Sequence, residues 1–159
     1  MGARGSGSFE NDTASDWAFG LEGVNDTSLI ESTLEKVIGV GAEYLQAPDA
    51  EEGLAAAETV ARMKGQWGAR NSYTEPMDRW VERLNWRPSS ELVRKAVVVV
   101  DRILSEPSEL LELWTESEEY DAWKASMSNL RQTWRLAVRF SGRASRAAER
   151  DRSALWTDV

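Results

Sequence analysis

Residues 90–104 read SELVRKAVVVVDRIL, and the class of the fold turns on this stretch. Four consecutive valines, Val97 to Val100, favour a strand by local preference, because β-branched side chains lose rotamer freedom in a helix. The wider period decides otherwise. Leu92, Val93, Ala96, Val97, Val100, Ile103 and Leu104 recur at helical spacing, with Arg94, Lys95, Asp101 and Arg102 on the opposite side. That is one amphipathic helix, entered through Pro88-Ser89-Ser90, and it predicts a buried central helix rather than a strand.

The same period continues in both directions. Ser28 followed by Glu31 reads as a capping box, and Ile30, Leu34, Val37 and Ile38 share a face behind it. Ala47-Pro48-Asp49 opens another helix, with the stripe Leu54, Ala57, Val60 and Ala61 and a closing glycine at Gly65. Its alanine-rich centre predicts close packing against a neighbour. Residues 66–75 form a polar loop, and Pro76 restarts a short helix carrying Met77, Trp80, Val81 and Leu84. Glu106-Pro107-Ser108 starts a helix with Leu110, Leu111, Leu113 and Trp114. In the last helix Tyr120, Trp123, Met127, Leu130, Trp134 and Ala137 recur at steps of three and four, a seam that reads first as core and second as a surface for a partner helix. The expected fold is all-α: a compact multi-helix bundle over residues 1–140, followed by an Arg-rich C-terminal tail at 141–159.

Composition removes much of catalysis. The 159 residues hold no cysteine and no histidine. Thiol chemistry, disulfides, the Ser-His-Asp arrangement and nearly all zinc chemistry are therefore excluded. The longest strictly apolar run, Ala96 to Val100, is far shorter than the roughly 20 residues a membrane span needs, and the expected location is cytoplasmic. Net charge is −8, which argues against nucleic acid as a general partner. The charge is polarised: residues 121–159 carry net +4 and residues 1–120 net −12. A tail of that sign points to docking on the acidic remainder of the chain or on a second copy.

Four segments carry a resemblance. The opening Gly-x-x-Gly-x-Gly-x-Phe-x-Asn-Asp, from Gly2 to Asp12, lacks the preceding strand and the Lys-Ser or Lys-Thr of a nucleotide loop, and reads as the lead-in to a helix with Phe9 as staple. It resembles the start of the bacterial domain-of-unknown-function family 4259. Glu43-Tyr44-Leu45-Gln46-Ala47-Pro48, Ala55-Ala56-Ala57-Glu58 and Ser108-Glu109-Leu110-Leu111-Glu112-Leu113-Trp114 extend the resemblance over about residues 2–130. The family usually carries Trp where this chain has Arg4. The resemblance implies a small, mainly helical bacterial protein and brings no activity or catalytic residue with it.

Carboxylates and tryptophans remain as candidate functional groups. Glu109, Glu112, Glu116 and Glu119 would share one helical face if the helix runs unbroken through Thr115-Glu116-Ser117. Such a row could hold Mg²⁺ for nucleotide hydrolysis, and a solvated acidic face is its ordinary alternative. Asp78 with Glu82 reads as a surface pair without chemistry. Of eight tryptophans, most fall within apolar stripes. Trp67, Trp86 and Trp156 instead stand in polar surroundings near Arg70, Arg87 and Arg152, a combination of indole and guanidinium that marks interface anchors as well as plain cation–π packing. The leading expectation is a non-catalytic protein–protein interaction module with no cofactor, self-associating or binding an unidentified protein, such as an inhibitor or immunity-type partner of a basic protein. The alternative is a Mg²⁺-dependent all-α hydrolase.

Overall fold

The computed structural model describes residues 12–67, 70, 72–132 and 134. Among them the chain is helical throughout, as the period predicted: α1 (Asp12–Phe19), α2 (Ser28–Val40), α3 (Ala47–Met63), α4 (Glu75–Leu84), α5 (Ser90–Ile103), α6 (Glu109–Thr115) and α7 (120–132). The valine run lies inside α5. Val99 and Val100 are buried, and Val98 is 45% exposed on its outer side. Ser89 caps α5 as expected, its hydroxyl accepting the Leu92 N–H at 3.1 Å.

The central element is α3 rather than α5. It packs against α1, α2, α4, α5 and α6. From Gly53 to Ala57 every residue is buried, and from Thr59 to Met63 again. Alanine and glycine make this arrangement feasible, because small side chains let the backbones of several neighbours approach one helix. The closest approach is at Gly53. A Cβ built there would lie 2.6 Å from Val37 Cγ2 on α2 and 3.2 Å from Val99 Cγ1 on α5. Only glycine fits between those two β-branched residues.

Chain ends follow their local chemistry with one shift. Pro48 and Pro76 sit in the first turns of α3 and α4. Gly65 takes φ +87° beyond α3 and donates its N–H to Arg62 O at 2.9 Å. The N-cap of α2, however, is Thr27 and not Ser28. Asp26 explains the difference: its carboxylate accepts both the N–H of Ser28, at 3.0 Å, and its hydroxyl, at 2.6 Å, so Ser28 is engaged outside the helix end it was expected to cap.

Tertiary hydrogen bonds tie the connections down. Trp17 Nε1 on α1 donates to Thr33 Oγ1 on α2 at 2.9 Å, and Trp80 Nε1 on α4 donates to Val24 O at 2.8 Å. Arg102 on α5 donates to four carbonyls, those of Gly41, Glu43, Ser105 and Pro107, at 2.6–2.9 Å. It thereby fastens the α2–α3 connection to the α5–α6 connection. Beside it Leu45 and Ser108 form a short parallel bridge. Trp114 on α6 and Trp123 on α7 stack with ring centres 5.6 Å apart. Trp123, Met127, Leu130 and Trp134 are buried in the common core, so the seam of α7 is core. Ala137 and the tail at 141–159 lie outside the described residues, and none of the described helices is long and apolar enough to cross a membrane.

Gly53 gives a direct check on this packing. Gly53→Ala is expected to lower stability by about 1–2 kcal/mol, even though alanine in an open helix gains about 1 kcal/mol over glycine. Urea denaturation measures it; equal or greater stability would contradict the close approach of α2, α3 and α5.

Candidate interaction surface

Arg62 lies in the last turn of α3, where every residue from Thr59 to Met63 is buried, and its side chain is only 2% exposed. Its Nε donates to Asp78 Oδ1 on α4 at 2.8 Å, and its Nη1 to Glu58 Oε2 one turn back at 2.6 Å. Asp78 is buried as well, and its second oxygen accepts the Thr74 hydroxyl at 2.6 Å. Asp78 is thus not the solvated partner of Glu82 that the i, i+4 spacing predicted. It lies on the same face as Met77 and Val81, turned into the protein toward Arg62. An isolated buried charge carries a desolvation penalty of several kcal/mol, so removing either partner takes from the other part of its compensation.

Arg70 and Trp67, from the connection between α3 and α4, lie over this pair. Arg70 Nε is 3.5 Å from Asp78 Oδ2, and Arg70 Nη2 donates to Glu82 Oε1 at 2.7 Å. The guanidinium carbon of Arg70 then sits 4.5 Å from the centre of the Trp67 ring, and that of Arg62 sits 6.0 Å from it. Trp67 is therefore held in place from below while 39% of its surface faces solvent. The buried pair supplies the rigidity here; the exposed Arg70–Glu82 bridge is worth under about 1 kcal/mol.

Trp86 arrives from the end of α4. Asn85 closes that helix at φ 50°, its N–H bonded to Val81 O at 2.9 Å, and the left-handed turn aims the chain away from the helix axis. Trp86 follows, 47% exposed, with Arg87 exposed beside it and Pro88 buried. Burial and then the charge of Arg87 hold the Lys64 ammonium below its ordinary value. The structure thus joins Trp67 to Arg70, and it leaves Trp86 and Arg87 exposed in the segment after α4. Arg152 and Trp156 lie outside the described residues. Trp17, Trp80, Trp114, Trp123 and Trp134 are buried, as their apolar stripes predicted.

The carboxylate row is not one face. Helix α6 closes at Thr115, Glu116 is its C-cap, and the chain turns through 116–119 before α7 begins. Glu119 lies in that turn, with its N–H bonded to Ser117 Oγ at 3.0 Å. Glu109 is already engaged: its Oε1 accepts the Ala47 N–H at 2.7 Å and satisfies a free donor at the start of α3. Glu112 and Glu116 border an open groove of about 550 Å³ whose other wall carries Lys124 and Arg131. Among the described residues no group of three or more His, Cys, Asp or Glu could hold a metal ion. The spacing was sound for a continuous helix, and the helix ends too early.

Comparison with known proteins adds a family and nothing finer. Residues 2–126 match the family described as Domain of unknown function (DUF4259), in agreement with the resemblance read from the opening and the three later segments. No curated protein and no solved structure matches the chain.

Two outcomes follow from the charges just described. Asp78→Ala is expected to destabilise the protein by about 1.5–3 kcal/mol, since Arg62 stays buried and keeps Glu58 but loses its second carboxylate; an unfolding free energy changed by less than about 0.5 kcal/mol would contradict the burial. Glu51, on α3 near Glu109 and Asp12, has its carboxyl raised above the ordinary 4.5 by burial first and then by those two charges. Its folded pKa lies above its unfolded one, so its charge opposes folding at neutral pH. That opposition fades as pH falls through the folded pKa and is gone below the unfolded one. Glu51→Gln is accordingly expected to raise Tm at pH 7 and to leave it unchanged in acid. A Tm gain of the same size at both pH values would exclude the electrostatic cause.

Proposed function

We propose a function read from the surface rather than from kinship: the chain belongs to the DUF4259 family, whose description names no activity. The protein is a non-catalytic protein–protein interaction module, and its contact residues are Trp67, Arg70, Trp86 and Arg87. One observation carries this reading. The fold buries five described tryptophans almost completely and leaves Trp67 and Trp86 exposed, Trp67 against Arg70 and Trp86 next to Arg87 in the chain. Indole and guanidinium groups dominate the energetics of protein interfaces, because each combines a large contact area with a directed polar group.

Preorganisation strengthens the reading. An anchor that is loose in the free protein loses about 0.5–1.5 kcal/mol of affinity when binding immobilises it. Trp67 rests on Arg70, and Arg70 rests on Asp78, so little of that loss remains for the complex. An inhibitor or immunity-type role in the cytoplasm is the form of this function that asks only for tight contact and no chemistry.

A pull-down with the tagged full-length chain tests it. The wild type is expected to retain a partner at stoichiometric amount. Trp67→Ala and Trp86→Ala are each expected to reduce that capture by about ten-fold, while Tm moves little because both side chains are half exposed. A partner held equally well by all three proteins would exclude these anchors, and recovery of the chain by itself would leave self-association.

A further inference from the structure

The open groove of about 550 Å³ between α6 and α7 has walls of opposite sign, and neither Trp67 nor Trp86 lines it. Its apolar lining is Leu104, Leu111 and Tyr120, which pack against the core and stay partly exposed. Glu112 and Glu116 stand on the α6 side, both exposed. Lys124 and Arg131 share one stripe of α7 on the other side. Arg131 is held by Asp101, its Nε 2.8 Å from Oδ1. Lys124 is exposed, with its ammonium 5.8 Å from the centre of the Tyr120 ring. Among the described residues Glu112, Glu116 and Lys124 form no ion pair. Opposite charges therefore line one groove without meeting across it.

We infer that this groove is where a second copy of the chain docks, the two copies related by a two-fold axis. Charge complementarity names the occupant. A segment of one sign, basic or acidic, meets its own sign on one of the walls. A second copy turned through 180° presents an acidic wall to the basic one and a basic wall to the acidic one, which is the self-match that a two-fold contact requires. Lys124 of each copy then lies against Glu112 and Glu116 of the other. Shape allows it, because α7 is both a wall of its own groove and a ridge for the partner's. Beside Lys124 that ridge carries exposed Ala122 and Ala125, small enough for a second helix to come close. The net charge of −8 on each copy opposes the approach, but salt at physiological strength screens exposed charges beyond about 8 Å, and the contact is decided at the groove. Ten lining residues fall short of the roughly 20–30 a side of a stable interface, so the dimer is a weak one. The inference goes beyond the tryptophan surface and does not depend on it.

Analytical ultracentrifugation of the full-length chain, over a concentration series up to the highest it tolerates, reads the association directly. The wild type is expected to rise from the mass of one chain toward that of two, and less steeply as salt is added. Glu112→Lys/Glu116→Lys makes both walls positive, and Lys124→Glu makes the α7 wall acidic at its centre. Each variant alone is expected to dimerise about ten-fold more weakly than wild type. The first also moves the net charge from −8 to about −4, which would favour association if only overall repulsion mattered, so its loss is specific to the groove. Mixed together, the two variants are expected to form a heterodimer at least as tight as the wild-type dimer, because each then offers the sign the other lacks. Glu112→Gln/Glu116→Gln and Lys124→Gln give smaller losses in the same direction and serve if a reversal unfolds the protein. A single-chain mass at every concentration overturns the proposal, and so does growth beyond two copies. A dimer that neither variant weakens, or that their mixture does not restore, overturns it as well. Capture of a partner through Trp67 and Trp86 is unaffected by any of these results, so the two surfaces stand or fall separately.

Discussion

A guanidinium with almost no access to water governs the geometry of this protein. Arg62 belongs to a helix wrapped by five others, and Glu58 and Asp78 meet its charge at 2.6 and 2.8 Å. Asp78 is fixed in turn by Thr74 and approached by Arg70. The requirement to neutralise one buried cation therefore ties α4 to α3 through Asp78, and Arg70 to both. It also seats Trp67. Hydrophobic replacements of similar volume often match or exceed the stability of a buried ion pair, so stability alone does not account for this arrangement. Its consequence is that Arg70 is held over the pair, with Trp67 against it.

The fold was legible because its information is local. Helical period, Pro48, Pro76, Ser89 and Gly65 are each read within one or two turns of chain, and each acts in the structure as its chemistry requires. The valine run in α5 shows how a period over fifteen residues overrides the preference of four. Where two neighbouring groups compete, the local reading slips: Asp26 takes the hydroxyl of Ser28, and the cap moves to Thr27. The hub was less visible. Alanines in α3 announced close packing, but the need for glycine at position 53 arises from Val37 and Val99, which the sequence does not place beside it.

The site was legible in part. Indoles in polar surroundings were a usable signal, and Trp67 and Trp86 are indeed the tryptophans left outside the core among the described residues. Asp78 was misread because its partner lies sixteen residues away on another helix, while Glu82 lies one turn along and offers a familiar surface spacing. A finer signal existed: Asp78 falls beside Met77 and Val81 on the inward face of α4, where an acid demands a buried cation. Glu109 shows the same limit from the other side. Its bond to Ala47 spans 62 residues, and no i, i+3 pattern could reveal that it closes a helix end instead of joining a row of metal ligands.

These pieces describe a helical body whose interior charge pair presents an indole to solvent in a fixed pose. Relaxation of the indole Nε1–H of Trp67, measured by NMR on the free protein, tests that most directly. A seated ring is expected to give an order parameter of about 0.8 or above, close to that of rigid backbone. A value below about 0.6 would mean that the ring moves freely despite Arg70 and Asp78, and the preformed surface would have to be abandoned.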